Sequence, residues 1–264
     1  MTINMHQIKQ YLKHFFQAKR NGHGVHSPFA YELCEEVFYN RNTFYDFEAL
    51  AAIRNTLLTD ETGISITDLG AGSKTFKGST RKIKDIAGKG ISTAGQSEMI
   101  YRLMNFLKCS NAVELGTSLG MNALYMARVN KNNTVISIEG SKPLCDFAEE
   151  LAKKNQVTNI QLIHSTFEEA FPRVLKDMEQ LDLLYIDGNH TYTATCDYFQ
   201  QALTRKHKGS VFIFDDIYWS KEMTKAWEEI KKHPSVSLSI DTFYSGLVFF
   251  KEEIREKVDL KFYL

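Results

Sequence analysis

The 264 residues are enough for one sizeable hydrophobic core with an extension, and a composition of 43% hydrophobic and 24% charged residues excludes a disordered or fibrous chain. Lys plus Arg equal Asp plus Glu at 32 each, so no overall positive field exists to hold a phosphate backbone by counterion release, and nucleic acid is a disfavoured partner. Cys34, Cys109, Cys145 and Cys196 lie far apart, without a CxxC pair or a zinc-like spacing, and read as reduced thiols of a cytoplasmic protein. The opening MTINMHQIKQYLKHFFQAKR lacks the apolar core and cleavage site of a signal peptide, and no run suffices to span a bilayer, so no membrane partner is expected.

In chain order, an amphipathic helix is predicted from about His6 to Lys19, and Ser27-Pro28 suits the start of a second. A stretch rich in Lys, Gly, Ser and Thr, Ser73 to Gly90, has no helical or strand period and reads as a loop, mobile or folded over a ligand. From Ser92 onward helices alternate with short apolar strands. Helices are predicted from Gln96 to Lys108, from Leu119, and from Ser141 to Lys154, Phe167 to Met178, Tyr192 to Thr204 and Ser220 to Lys232. The strands between them are Ala112 to Leu115, Thr134 to Glu139, Ile160 to Ile163, Leu181 to Ile186 and Ser210 to Phe214. Two last apolar runs, Val236 to Ile240 and Leu247 to Phe250, are separated only by DTFYSG, too short for a crossover helix, so they pair antiparallel. The expected fold is α/β, Rossmann-like: a mostly parallel sheet with helices on both faces and a C-terminal antiparallel hairpin, residues 92–264, preceded by a helical cap and lid-like loop, residues 1–91.

The informative stretch is AVELGTSLGMNALYMA, where a strand runs into Glu114, Gly116 and Gly120 and then into a helix. Ligands of open α/β sheets sit beyond the carboxyl ends of strands, where glycines let the backbone turn and approach them. A dinucleotide site wants GxGxxG, but Ser118 stands where the middle glycine would admit a pyrophosphate. A strand-end carboxylate would repel that group yet could orient the cationic amino group of a methionine moiety, which favours S-adenosylmethionine. Glu139 follows Gly116 by 23 residues, where a ribose-binding acid falls in such units.

Over roughly Thr93 to Glu252 the chain resembles the class I S-adenosylmethionine-dependent methyltransferases, most of all the catechol-type, small-molecule O-methyltransferases, with ELGTSLG as the cue. The resemblance implies that Glu114, Gly116, Ser118, Gly120 and Asn122 line the methionine end of the cofactor, Glu139 the ribose and Phe167 the adenine. A homodimer is implied by resemblance alone.

A second constellation, YIDGNHTY followed by FIFDDIYW, puts Asp187, Asp215 and Asp216 at strand ends. Such hard oxygen ligands suit Mg²⁺, which would acidify and position an acceptor hydroxyl. The metal-dependent O-methyltransferases that this pattern resembles hold the ion with an aspartate after the fourth strand and an acidic pair after the fifth, and Asp187 is counted with the cofactor-facing residues too. The bland reading is that these acids cap the following helices. His190, three residues past Asp187, is either the general base, as a DGxH segment in some sugar O-methyltransferases suggests, or an ordinary loop histidine; Asp187 stands beside it as the other catalytic candidate.

ITDLGAGSK, with Asp68, Gly70 and Gly72, imitates a second cofactor motif but lacks a following strand with a terminal acid, and reads as a turn. Lys74, Lys77, Arg81, Lys82 and Lys84 read as solvated loop charge. His23, His26, Phe29 and Tyr31 either build an acceptor pocket or pack the cap, and Trp219 is pocket wall or core. The sequence thus predicts methylation of a small-molecule hydroxyl with metal assistance. The alternatives are a metal-independent N- or macromolecule methyltransferase, or a noncatalytic or NAD-binding Rossmann module.

Overall fold

A computed structural model describes residues 5–66 and 80–264. The chain divides into two compact units, one of Met1–Asn40 with Leu175–Leu264 and one of Arg41–Val174.

The first unit opens with helix α1 (Met5–Gln17) and helix α2 (Pro28–Leu33), which runs on into a π turn, Cys34–Phe38. Helix α2 starts where predicted. The Ser27 side chain accepts from the amide of Ala30 at 3.4 Å, and Pro28, which has no amide to satisfy, fills the first turn.

The second unit begins with helix α3 (Tyr45–Thr59), followed by strand β1 (Gly63–Ser65), its antiparallel partner β2 (Thr80–Lys82) and helix α4 (Ile83–Lys89). Two corrections follow. Helix α3 has no counterpart in the prediction, and the expected loop from Ser73 to Gly90 is regular over Thr80–Lys89. Ile83, Ile86 and Ala87 fall one helical turn apart and are buried in one cluster with Leu50 and Leu57 of α3. This stripe is short and set among lysines, so composition concealed it. Lys82 bonds Glu61 at 2.7 Å and Lys84 bonds the same carboxylate, so part of the basic cluster is paired. Residues 73–79, with Lys74 and Lys77, and Asp68, Gly70 and Gly72 lie outside the described residues.

Helix α5 (Ala94–Leu107) starts at a capping box of Thr93 and Gln96, side chain of each to backbone of the other. Strand β3 (Asn111–Leu115), helix α6 (Met121–Arg128), β4 (Thr134–Glu139), α7 (Lys142–Lys154), β5 (Ile160–His164) and α8 (Phe167–Asp177) follow the predicted alternation. Strands β3, β4 and β5 are parallel, with Val113 opposite Ile136 and Ile136 opposite Gln161. Helix α6 is buried from Met121 to Ala127.

Returning to the first unit, the chain forms β6 (Leu183–Ile186), α9 (Tyr192–Ala202), β7 (Val211–Asp215), α10 (Lys221–Lys232), β8 (Leu238–Asp241), β9 (Ser245–Phe249) and β10 (Val258–Lys261). Strands β6 and β7 are parallel and buried throughout, as strands covered on both faces must be. Strand β9 runs antiparallel to both β7 and β8, which is the hairpin expected from DTFYSG. Strand β10 adds a parallel partner to β8 that the sequence reading did not foresee. The fold class stands as predicted: α/β, mostly parallel, ending in an antiparallel pair. None of the four cysteines forms a disulfide among the described residues. Among the described residues no helix is long and apolar enough to cross a membrane.

Candidate functional site

In the Arg41–Val174 unit, Glu114, Gly116, Ser118, Gly120, Asn122 and Glu139 of the predicted cofactor residues lie in or against the turn between β3 and α6, whereas Asp187 belongs to the other unit. Gly116 (φ 106°), Ser118 (φ 50°) and Gly120 (φ 81°) all take positive φ within five residues, which folds the backbone back on itself. Gly120 is required twice over. Its φ is left-handed, and a Cβ there would sit 2.9 Å from Cβ of Ala148. The amide of Gly116 donates to the carbonyl of Ile138 at 3.0 Å, so the turn is fastened to the next strand.

Glu139, at the end of β4, completes this fastening. Its Oε2 accepts the Ser118 amide at 2.9 Å and its Oε1 the Ser141 amide at 2.8 Å. Burial raises its pKa, against the pull of these backbone donors. Further backbone donors, from Gly140 and Thr117, also point at this carboxylate.

Glu114 lies beneath the turn, wholly buried. Its Oε2 accepts from the Ser137 hydroxyl, which is paired in turn with the Thr117 hydroxyl. Oε1 has no hydrogen-bond partner among the described residues. Burial pushes its pKa up to about 8, opposed by the Ser137 bond and helped by the charge of Glu139. At neutral pH the group is therefore mostly a neutral acid. Asn122 is engaged at both ends of its amide: it accepts from Ser97 at 2.6 Å and donates to Ser92 at 2.8 Å. Arg54 joins the same buried network, at 2.8 Å from the Ser92 carbonyl and 3.2 Å from the Ser97 hydroxyl. The sequence reading missed Arg54, Ser92 and Ser97; Arg54 and Ser97 are polar residues on helices that are otherwise apolar inward, and Ser92 lies in the loop before α5. Phe167 is the half-buried first residue of α8.

The other unit carries the second constellation. His190 Nε2 lies 3.7 Å from Asp187 Oδ1, each side chain about a quarter exposed, at 23% and 24%. Burial lowers the His190 pKa, opposed by the charge of Asp215. The Trp219 ring lies 6.4 Å from the imidazole, centroid to centroid. Phe29, by contrast, packs its ring on Phe249 at 5.5 Å and carries Lys251 over its face at 4.4 Å, which is cap packing.

Asp215 is drawn inward. Tyr185 donates to its Oδ2 at 2.9 Å and Ser245 to its Oδ1 at 2.7 Å. Asp216 follows in a left-handed conformation (φ 55°), its pKa pushed up to about 7 by burial and by the charge of Asp215. Helix capping does not explain these acids, because Thr191 caps α9 and Ser220 caps α10. Among the described residues no three His, Cys, Asp or Glu side chains are grouped to hold an ion, and Asp187, Asp215 and Asp216 do not form the expected triad. The Asp215 carboxylate is oriented by Tyr185 and Ser245.

Residues 113–217 match the family model described as Methyltransferase domain. The matched stretch spans the turn, Glu139 and the acid pair. A relative from Acanthamoeba polyphaga mimivirus, an uncharacterized protein R132, is 32% identical over 130 residues, 45% of this chain and 58% of that protein, so the match covers little more than half of the relative's length. Among solved structures, the O-methyltransferase from Bacillus cereus in complex with SAH is similar at a TM-score of 0.53 and 16% identity, over 79% of this chain and 92% of that one. The SAH-bound Podospora anserina methyltransferase PaMTH1 is similar at a TM-score of 0.56 and 14% identity, over 81% and 100%. At these identities the likeness shows a shared fold and nothing finer.

Proposed function

We propose that the protein is an S-adenosylmethionine-dependent methyltransferase acting on a hydroxyl of a small molecule. The observation that carries this reading is the turn from Gly116 to Gly120, bent by three positive φ angles and closed on Glu139 through the Ser118 amide. A nucleoside fits such a turn: glycines let the backbone come close to a ligand, and a strand-end carboxylate is where a ribose-binding acid falls. S-adenosylmethionine, when bound, supplies an electrophilic methyl group on a sulfonium.

The chain's own residues bind and deprotonate. Glu139 accepts from the ribose, and Asn122, already held by Ser92 and Ser97, keeps the helix end beside the turn rigid. Phe167 offers an apolar face to the adenine. Glu114, being mostly neutral, supports the turn and offers Oε1 as a polar contact rather than an ion-pair partner for an ammonium. His190, whose lowered pKa leaves it neutral at pH 7, takes the proton of the acceptor hydroxyl, and Asp187 steadies the resulting imidazolium. Mg²⁺ is left out of this reading, because among the described residues no three His, Cys, Asp or Glu side chains are grouped to hold an ion.

Calorimetric titration with S-adenosylmethionine, S-adenosylhomocysteine and NAD tests the proposal. Micromolar binding of the first two and none of NAD supports it. Preference for NAD assigns a nicotinamide-type Rossmann module, and no binding at all removes the cofactor.

A further inference from the structure

Helix α1 is turned inside out. A helix on a protein surface ordinarily buries its apolar stripe and shows its polar face to water. Here the polar face is inward: His6 Nε2 meets the Thr224 hydroxyl at 2.8 Å, and His14 is 1% exposed, with Nδ1 3.1 Å from Asp241 and Nε2 3.1 Å from the Phe262 carbonyl. The apolar stripe faces out. Met5, Ile8, Leu12 and Phe16, spaced at three or four residues, are 76%, 38%, 51% and 81% exposed. Tyr11 and Phe15, beside it, are also open. The stripe continues past the helix, because the Tyr11 ring meets Phe243, next to exposed Tyr244, and Phe15 meets Tyr263. A contiguous apolar surface of this kind marks a binding face.

Charge selects the occupant. Lys9 and Lys13 lie one turn apart along the edge of the stripe, both exposed. From residue 5 to residue 31 the chain holds Lys9, Lys13, Lys19 and Arg20 and no Asp or Glu, although the whole sequence is neutral. A second copy of the same face would set like charges against each other. A surface with apolar depth and negative charge accommodates both features. We propose that α1 is an interfacial helix that docks the protein on an anionic lipid bilayer, with Met5, Leu12 and Phe16 among the acyl chains and Lys9 and Lys13 at the headgroups. The expectation of no membrane partner weighed spanning segments alone, and this helix lies in the plane of the interface.

The test is flotation of the full-length protein with phosphatidylcholine vesicles and with vesicles that also contain phosphatidylglycerol, alongside light scattering of the free protein. The proposal expects binding to the anionic vesicles that salt weakens and little binding to the neutral ones. It expects a loss of tenfold or more in the double variant Leu12→Ser/Phe16→Ser. Lys9→Glu/Lys13→Glu loses more than the roughly fivefold that one basic residue is worth. All four positions are exposed, so unfolding midpoints should match the parent. Absence of vesicle binding overturns the proposal, as does binding that survives both variants. A dimer that Leu12→Ser/Phe16→Ser dissociates, without vesicle binding, gives the face to a second copy instead.

Discussion

Glu114 shows how one side chain ties the turn to pH. Its carboxyl is raised to about 8 in the folded protein by burial, against an ordinary value of 4.5. The unfolded chain therefore releases this proton first as pH rises, and the fold loses stability between those two values. The loss is on the order of a few kcal/mol and is complete only above the folded value. Glu114→Gln keeps a neutral hydrogen-bonding group of the same shape. Urea denaturation from pH 5 to 9 should show the parent losing stability steadily relative to Glu114→Gln. Parallel curves would mean that the group ionises freely in the fold. Glu114 and Glu139 were both legible as strand-end acids, but their division of labour was not. Residue spacing gives the strand end; whether a carboxyl sits under the turn or beside it depends on which neighbours close over it.

At the scale of elements, α1 is held by a buried polar cluster rather than by an apolar face. Asp241, at the end of β8, contacts His14 and accepts from the Tyr218 hydroxyl and the Phe243 amide. Burial alone would raise its pKa, but the bonds from His14 and Tyr218, with the charge of His14, hold it below the ordinary carboxylate value. A depressed folded pKa contributes stability that is present at neutral pH and lost as pH falls through that value. Asp241→Asn should cost about 3 kcal/mol at pH 7, read from urea midpoints, with the difference shrinking below pH about 4. The period of three to four residues announced α1 as a helix. Its orientation was invisible, because the same pattern fits an apolar stripe turned inward or outward, and Asp241 lies 227 residues further along the chain. Helix α4 failed for a related reason: its stripe gains meaning only against Leu50 and Leu57 of α3.

For the whole molecule, the question that bears most on how the protein works is the metal that the sequence reading expected and that no group of three ligands among the described residues supports. With no three such ligands grouped among the described residues, methyl transfer to an acceptor should keep its rate in the presence of EDTA. His190→Ala should lower kcat about 10²-fold or more while leaving S-adenosylhomocysteine affinity unchanged. Parent activity should rise with pH through a value below 6.5 and then level, since the base works in its neutral form. A rate abolished by EDTA and restored by Mg²⁺ would return the acids to the role their spacing suggested.

Sequence by itself determined the alternation of strands and helices from Ser92 onward, the antiparallel hairpin and the glycine turn at its strand end, because each follows from a local period or from a backbone angle that few residues adopt. Tertiary structure decided which acid is neutral, which carboxylate is oriented by hydroxyls and which face of α1 meets water. Those outcomes depend on desolvation and hydrogen-bond partners contributed by residues distant in the chain, and no local pattern encodes them.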